Sequence, residues 1–122
     1  MNYENDSETM DVIEDIITKL NLSHIKTENI FCVRSHGSKS RRTVARIHGL
    51  PRIMQKAMNI KAVYVIEIIS ENFDKLNHED KIKTIIHELM HILKNFGGGF
   101  RSHSNFVNRK SVEKAFNTYI NM

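Results

Sequence analysis

The sequence is built around IKTIIHELMHIL, residues 82–93, in which His87, Glu88 and His91 follow the spacing of a metal site on a helix. At about 3.6 residues per turn, residues four apart lie one above the other on one helix face, so both imidazoles can bind the same ion. Glu88 lies beside that ion, where it can take a proton from a water molecule. The pattern predicts His87 and His91 as metal ligands and Glu88 as a general base.

Residues 82–93 also have the periodicity of a helix that packs on one side. Asn77 precedes them as a candidate N-cap, and the glycines at 97–99 are expected to end the helix. A chance match to this spacing is expected roughly 0.03 times in a chain of this composition, so we interpret the motif as a metal site. The apolar side chains that recur at steps of three and four are Ile82, Ile85, Ile86, Leu89 and Leu93.

Length and composition predict one domain spanning residues 1–122. The 122 residues are 40% hydrophobic, which is enough for a single core. Residues 1–6 are expected to be frayed. No apolar stretch reaches the roughly 18 residues of a membrane span, and the acidic N-terminus is unlike a secretory signal. These features predict a cytoplasmic protein without a membrane partner. Cys32 has no second cysteine to pair with and is interpreted as a small buried side chain.

The charge of the chain is unevenly distributed. The net charge is +4, and no acidic residue occurs between Glu28 and Glu67. The basic segment from Arg34 to Lys61 therefore predicts weak binding of nucleic acid or of an acidic substrate, with a solvated surface as the alternative. Its cations are Arg34, Lys39, Arg41, Arg42, Arg46, Arg52, Lys56 and Lys61.

Local patterns predict an α+β fold with a small mixed sheet packed on helices, one of which carries the motif. Three segments are expected to be strands, and residues 43–48 are expected to form a hairpin with residues 30–33. The predicted strands are 30–33, 43–48 and 62–69, and the predicted helices are 7–20, 51–58, the motif helix and a last helix starting at Ser102 or Ser104.

A catalytic zinc site usually has three protein ligands, so the motif needs one more. His103 follows the glycines at 97–99, which permit the tight reversal that would bring it back to the motif helix. Glu113 is the rival, as the only acidic residue in the sequence after Glu88. Its apolar neighbours suggest a solvated carboxylate on an amphipathic helix, so His103 is favoured. A surface or capping role for His103 is the alternative.

Three separated blocks of the chain resemble the small archaeal and phage metallopeptidases of the zincin superfamily. The blocks are RSHGSKSRRTVARIHGLPRI (34–53), YVIEIISENFDKLNHEDKIKTIIHELMHI (64–92) and GGGFRSHSNF (97–106). The resemblance implies a compact zincin-like α+β fold. It also implies a Zn²⁺ ion held by His87, His91 and His103, with Glu88 as the base.

A second, more distant similarity is to SprT-like proteases, which also place a histidine and a nearby aromatic residue after the motif, as in HSNF at 103–106. Proteins of that kind act on DNA-bound proteins, which would suit the basic segment. This chain departs from them because its single cysteine cannot supply a zinc ribbon.

The sequence therefore predicts a zinc metallopeptidase that acts on peptides or proteins. The strand from Tyr64 to Ile68 is the candidate edge for pairing with a substrate, and Arg101, Tyr64 and Tyr119 are candidate oxyanion partners. The alternative is a non-catalytic module that is stapled by zinc and binds nucleic acid through its basic segment. The presence of Glu88 favours the enzyme, because a structural zinc has no use for a base beside it. The sequence does not predict the oligomeric state.

Overall fold

A mixed sheet occupies the centre of the computed structural model, which describes residues 1–101 and 107–122. In these residues the sheet has four strands in the spatial order β1-β2-β4-β3. β2 and β4 are parallel, whereas β1 and β3 pair antiparallel with their neighbours. The strands are β1 (Asn2–Asn5), β2 (Ile30–His36), β3 (Ala45–Gly49) and β4 (Tyr64–Ile69).

β4 lies inside the sheet, and most of its side chains are buried apolar ones. Tyr64, Ile66, Ile68 and Ile69 have no exposed surface. Buried backbone needs hydrogen-bonding partners on both edges, which β2 and β3 supply. The predicted hairpin between residues 30–33 and 43–48 is therefore wrong, since β4 is inserted between those two strands.

Three longer helices contribute apolar side chains to the same core as the sheet. The longer helices are α1 (Ser7–Lys19), α4 (His78–Met90) and α5 (Arg109–Ile120). Two shorter helices, α2 (Arg52–Met58) and α3 (Ser70–Phe73), precede and follow β4. Alternate strand residues and the apolar helix faces form one core, which confirms the α+β prediction. Members of this core include Ile13, Ile16, Cys32, Ile66, Ile86, Leu89 and Phe116. No helix of the described residues is long and apolar enough to cross a membrane.

The N-terminal segment is ordered, so the expectation of a frayed 1–6 segment is wrong for Asn2–Asn5. These residues form β1 and pair with β2 from Asn2↔His36 to Asn5↔Val33. Asp6 then caps α1, because its carboxylate accepts from the Thr9 backbone N–H at 3.0 Å. The predicted helix 7–20 is confirmed.

The motif helix begins as predicted but ends earlier. Asn77 Oδ1 accepts from the Asp80 backbone N–H at 2.8 Å, which confirms the N-cap. α4 ends at Met90, with His91 as its C-cap, and does not continue to the glycines. Gly98 instead has φ +100°, and a Cβ there would lie 2.6 Å from the Leu50 carbonyl oxygen. This glycine therefore permits close approach of two backbone segments rather than helix termination.

The last helix begins later than predicted. α5 starts at Arg109 and is capped by Asn108, whose side chain accepts from the Ser111 backbone N–H. Ser102 and Ser104, the predicted starting points, lie outside the described residues. On α5, Val112 and Phe116 are buried, whereas Ile120 is exposed.

We expect Arg34→Ala to lower the free energy of unfolding by about 2 kcal/mol, because it leaves partly buried acceptors without their charged donor. The Arg34 guanidinium donates to Asp6 at 3.0 Å, to Asp74 at 2.8 Å and to Ser70 at 3.1 Å. Urea unfolding measures the change, with the exposed Arg41→Ala as the control. Equal stability of the two variants would contradict a structural role for Arg34.

Candidate metal centre

His87 and His91 lie close enough to bind one ion. Their Nε2 atoms are 3.2 Å apart. Two nitrogens that each bind a tetrahedral zinc ion at 2.0–2.1 Å are about 3.3 Å apart. The helical spacing of four residues brings the rings together, with centroids 4.9 Å apart. The donor pair therefore fits a single zinc ion.

The orientation of His91 is fixed by the chain segment that follows α4. His91 Nδ1 donates to the Arg101 carbonyl oxygen at 2.6 Å, and the Arg101 N–H donates to the His91 carbonyl oxygen at 2.7 Å. A histidine that donates from Nδ1 keeps the lone pair on Nε2, which is the atom that a metal binds. The residues between them turn back on themselves and include a bridge between Ile92 and Phe100. The tautomer of the His91 ring is thus set by a main-chain acceptor.

Glu88 is a buried carboxyl group at the wall of a cleft. Its relative exposure is 8%, and burial raises its pKa from 4.5 to about 7. A group that titrates near neutral pH can both accept and release a proton under ordinary conditions. Glu88 therefore has the properties that its predicted role as general base requires.

The cleft lies between α4 and β3 and has two adjoining parts. The smaller cavity, of about 350 Å³, contains His87, Glu88 and His91 on one side. Its opposite side is formed by Ala45, Arg46 and Ile47 of β3, with Phe100 at the end. A larger cavity of about 820 Å³ shares Ala45, His87 and Glu88 with it and continues along α4 towards α5. The face of α4 that carries His87, Glu88 and His91 therefore lies opposite the edge strand β3.

β4 has no free edge for pairing with a substrate, so the expectation from the sequence is wrong on this point. β4, which contains Tyr64 to Ile68, is paired on one side with β2 and on the other with β3, so its hydrogen-bonding groups are used within the sheet. β3 is the last strand in the sheet order, and its residues line the cleft. Among residues 1–101 and 107–122, the outer edge of β3 has no strand partner, so it is the edge beside the cleft to which an extended peptide could pair.

Glu113 and the two histidines are not brought together as a metal site. The Glu113 carboxylate pairs with Lys83 Nζ at 2.7 Å, and Lys83 also pairs with Glu79 at 2.8 Å. In residues 1–101 and 107–122, no group of three His, Cys, Asp or Glu side chains could hold a metal ion. His103, the favoured third ligand, lies outside the described residues, so its role stays a prediction.

The tyrosines that were candidate oxyanion partners have other hydrogen bonds. The Tyr64 hydroxyl donates to the Gly99 carbonyl oxygen and accepts from the Gly98 N–H, each at 2.8 Å. The Tyr119 hydroxyl donates to Asp15, so it joins α5 to α1. Neither tyrosine is among the described residues that line the two cavities beside Glu88.

Two arginines line the larger cavity and were not identified from the sequence as site residues. Arg42 lies in the loop before β3, and Arg109 is the first residue of α5. A guanidinium group at this place can bind a carbonyl or carboxylate oxygen of a peptide. The sequence marked Arg42 only as part of the basic segment and did not mark Arg109, because their place beside Glu88 depends on how the loop before β3 and the start of α5 pack against α4. Cys32 is buried with a pKa raised to about 12, which agrees with its interpretation as a core side chain.

The family described as putative phage metallopeptidase matches residues 1–118. The chain belongs to this family. The match confirms the resemblance seen in the motif blocks, and the phage metallopeptidase family name indicates a peptidase that depends on a metal. No curated protein and no solved structure matches the chain.

We expect the metal-free protein to lose stability as the pH rises through about 7, because burial favours the uncharged form of Glu88. The folded pKa, about 7, lies above the ordinary value of 4.5, so the contribution is fully present below pH 4.5 and is lost above pH 7. It amounts to about 3 kcal/mol at most.

Urea unfolding in a chelating buffer at pH 5 and pH 8 measures this change. The Glu88→Gln variant should lack it, since its amide stays uncharged, whereas the exposed Glu14→Gln should behave as the wild type. The same decline in wild type and Glu88→Gln would show that another group is responsible.

Proposed function

We propose that this chain is a zinc-dependent peptidase in which His87, His91 and His103 bind the metal and Glu88 acts as the general base. The observation that carries the proposal is the 3.2 Å separation of the two Nε2 atoms beside a buried carboxyl group. Imidazole nitrogens suit zinc, and three of them leave one coordination position open for a water molecule. Membership of a metallopeptidase family agrees with this assignment.

The chain connectivity supports His103 as the third ligand. Arg101 bonds to His91 through both of its main-chain groups. His103 is two residues further along, and two residues span at most about 7 Å. Glu113 would first have to leave Lys83, to which it is bonded at 2.7 Å.

In the proposed reaction, Glu88 transfers protons as the general base and general acid. Zinc, when bound, supplies Lewis acidity that lowers the pKa of water to about 7 and polarises a carbonyl group. Glu88 accepts the proton of the attacking water and later delivers it to the leaving amine. The Arg101 carbonyl oxygen keeps the His91 ring in place.

The proposed substrate is an extended peptide segment of a peptide or protein. It would add to the open edge of β3, because an unpaired strand edge supplies main-chain donors and acceptors in a row. Ala45, Arg46 and Ile47 line the cavity that also contains His87, Glu88 and His91, so a peptide paired there would lie across the proposed site. Main-chain hydrogen bonds of this kind select an extended backbone conformation more than particular side chains of the substrate.

The alternative is a non-catalytic zinc-stapled module that binds nucleic acid through the segment from Arg34 to Lys61. The nucleic-acid-binding part of this alternative is favoured by one observation, because Arg41 and Arg42 are exposed in the loop before β3. Arg34 is unsuited to this role because its guanidinium is bonded to Asp6 and Asp74. In this alternative Glu88 has no chemical function, which makes the next experiment decisive.

We expect Glu88→Gln to reduce peptide hydrolysis at least about a hundredfold while the zinc content stays at one ion per chain, because the amide fills the same space but cannot accept a proton. Metal analysis and cleavage of unfolded protein substrates measure the two effects. Glu79→Gln, on the same helix, is the matched control. Hydrolysis by Glu88→Gln at the wild-type rate would remove Glu88 from the mechanism. Zinc binding without hydrolysis by the wild type would favour the zinc-stapled module.

The third ligand is tested by a pair of alanine variants. We expect His103→Ala to lower zinc affinity by orders of magnitude and to remove the stabilisation that zinc gives to the folded state. Glu113→Ala should leave the affinity nearly unchanged, because its carboxylate pairs with Lys83. Competition with a chromophoric chelator measures both affinities. The reverse pattern would move the third ligand to Glu113.

A further inference from the structure

α2 is an exposed helix that directs its apolar side outward. None of its residues is buried, although its sequence, RIMQKAM, is largely apolar. Ile53 is 79% exposed, Met58 54%, and Met54 and Ile60 44% each. We call these four side chains, Ile53, Met54, Met58 and Ile60, the α2 ridge. A cluster of large apolar side chains on an exposed element usually marks an interaction surface.

The helix is held to the protein by its polar side. Gln55 Nε2 donates to the Leu50 carbonyl oxygen at 2.8 Å and to the Gly97 carbonyl oxygen at 3.0 Å. Ile53 is two residues away and therefore lies on the opposite side of the helix, because two residues correspond to about 200° of rotation. Met54 and Met58 are four residues apart and share a face. The apolar side chains of α2 therefore face solvent, whereas a helix that packs on a core buries its apolar side chains.

The charged residues of α2 and of the segments that flank it are all positive and exposed. Arg52, Lys56 and Lys61 are the charged residues between Leu50 and Ala62. A second copy of the chain would bring its own three cations against these, which is unfavourable. Nucleic acid could neutralise the cations but would leave the aliphatic side chains in water. An occupant must therefore offer both an apolar phase and negative charge.

We propose that the α2 ridge binds the surface of a membrane that contains anionic lipids. Aliphatic and methionine side chains can enter the boundary between headgroups and acyl chains while flanking cations contact the anionic headgroups. The expectation of no membrane partner rested on the lack of an apolar stretch long enough to span a bilayer and of a secretory signal. A surface contact needs a few exposed apolar residues and cations, and their exposure is visible only in the structure.

The first test uses a fluorescent reporter at the ridge. The chain has no tryptophan, so Ile53→Trp places a single indole there. Its emission should shift to shorter wavelength on addition of vesicles made of two parts phosphatidylcholine and one part phosphatidylglycerol. Asn117→Trp, at an exposed position of α5, should not shift. An unchanged Ile53→Trp spectrum, or an equal shift of both variants, would overturn the proposal.

The second test is sedimentation of the whole chain with the same vesicles at low salt. Ile53→Ser with Met58→Ser should weaken binding at least about tenfold, because the apolar part of the contact is lost. Arg52→Gln with Lys56→Gln should weaken it by roughly fivefold per cation. The control, Lys110→Gln with Lys114→Gln, loses the same charge at exposed positions of α5 and should bind as the wild type.

Several results would overturn the proposal. These are wild-type protein that stays in the supernatant, equal binding by the two-serine variant, equal loss of binding by the α5 control, or equal binding to phosphatidylcholine alone. Light scattering that finds a dimer, which the two-serine variant converts to a monomer, would assign the ridge to a second copy of the chain instead.

Discussion

The Tyr64 hydroxyl group connects the sheet to the segment that orients His91, a candidate metal ligand. Tyr64 is fully buried at the start of β4, and its hydroxyl bonds to both Gly98 and Gly99. Its ring packs edge-on against Phe96 and Phe100, with centroids 5.0 and 5.7 Å away. The chain after α4 is thereby fixed to the end of the sheet. Arg101 follows this segment and is hydrogen-bonded to His91. These contacts connect the central strand β4 to the candidate metal ligands His87 and His91.

This arrangement explains why small residues occur where the two segments meet. A Cβ on Gly49 would lie 2.5 Å from the Gly98 carbonyl oxygen and 3.2 Å from the Tyr64 ring. No side chain fits there, so the end of β3 and the segment after α4 can touch only through backbone. The cleft owes its shape to this contact, because β3 and α4 form its two walls.

Features that depend on neighbouring residues were predictable from the sequence. The caps at Asp6 and Asn77 are three residues from the N–H groups they bind, and His87, Glu88 and His91 occupy adjacent turns of one helix. The order of the strands was not predictable, because residues 30–33 and 43–48 are also suited to pair with each other. The burial of β4 decides between these arrangements, and burial depends on the whole fold. Arg42 and Arg109 were missed for the same reason, since each reaches the cleft from a different element.

The early end of α4 has an electrostatic consequence for the candidate site. His91 is the C-cap of α4, and His87 lies in its last turn. The aligned peptide dipoles of a helix place the equivalent of about half a negative charge at its C-terminus. A cation held between these two imidazoles would sit within that field, and its positive charge would be favoured by it. If α4 continued to the glycines at 97–99, the negative end would lie more than one turn beyond the histidines, and this attraction would be much weaker. The position at which the helix stops therefore matters to metal affinity as well as to the path of the chain.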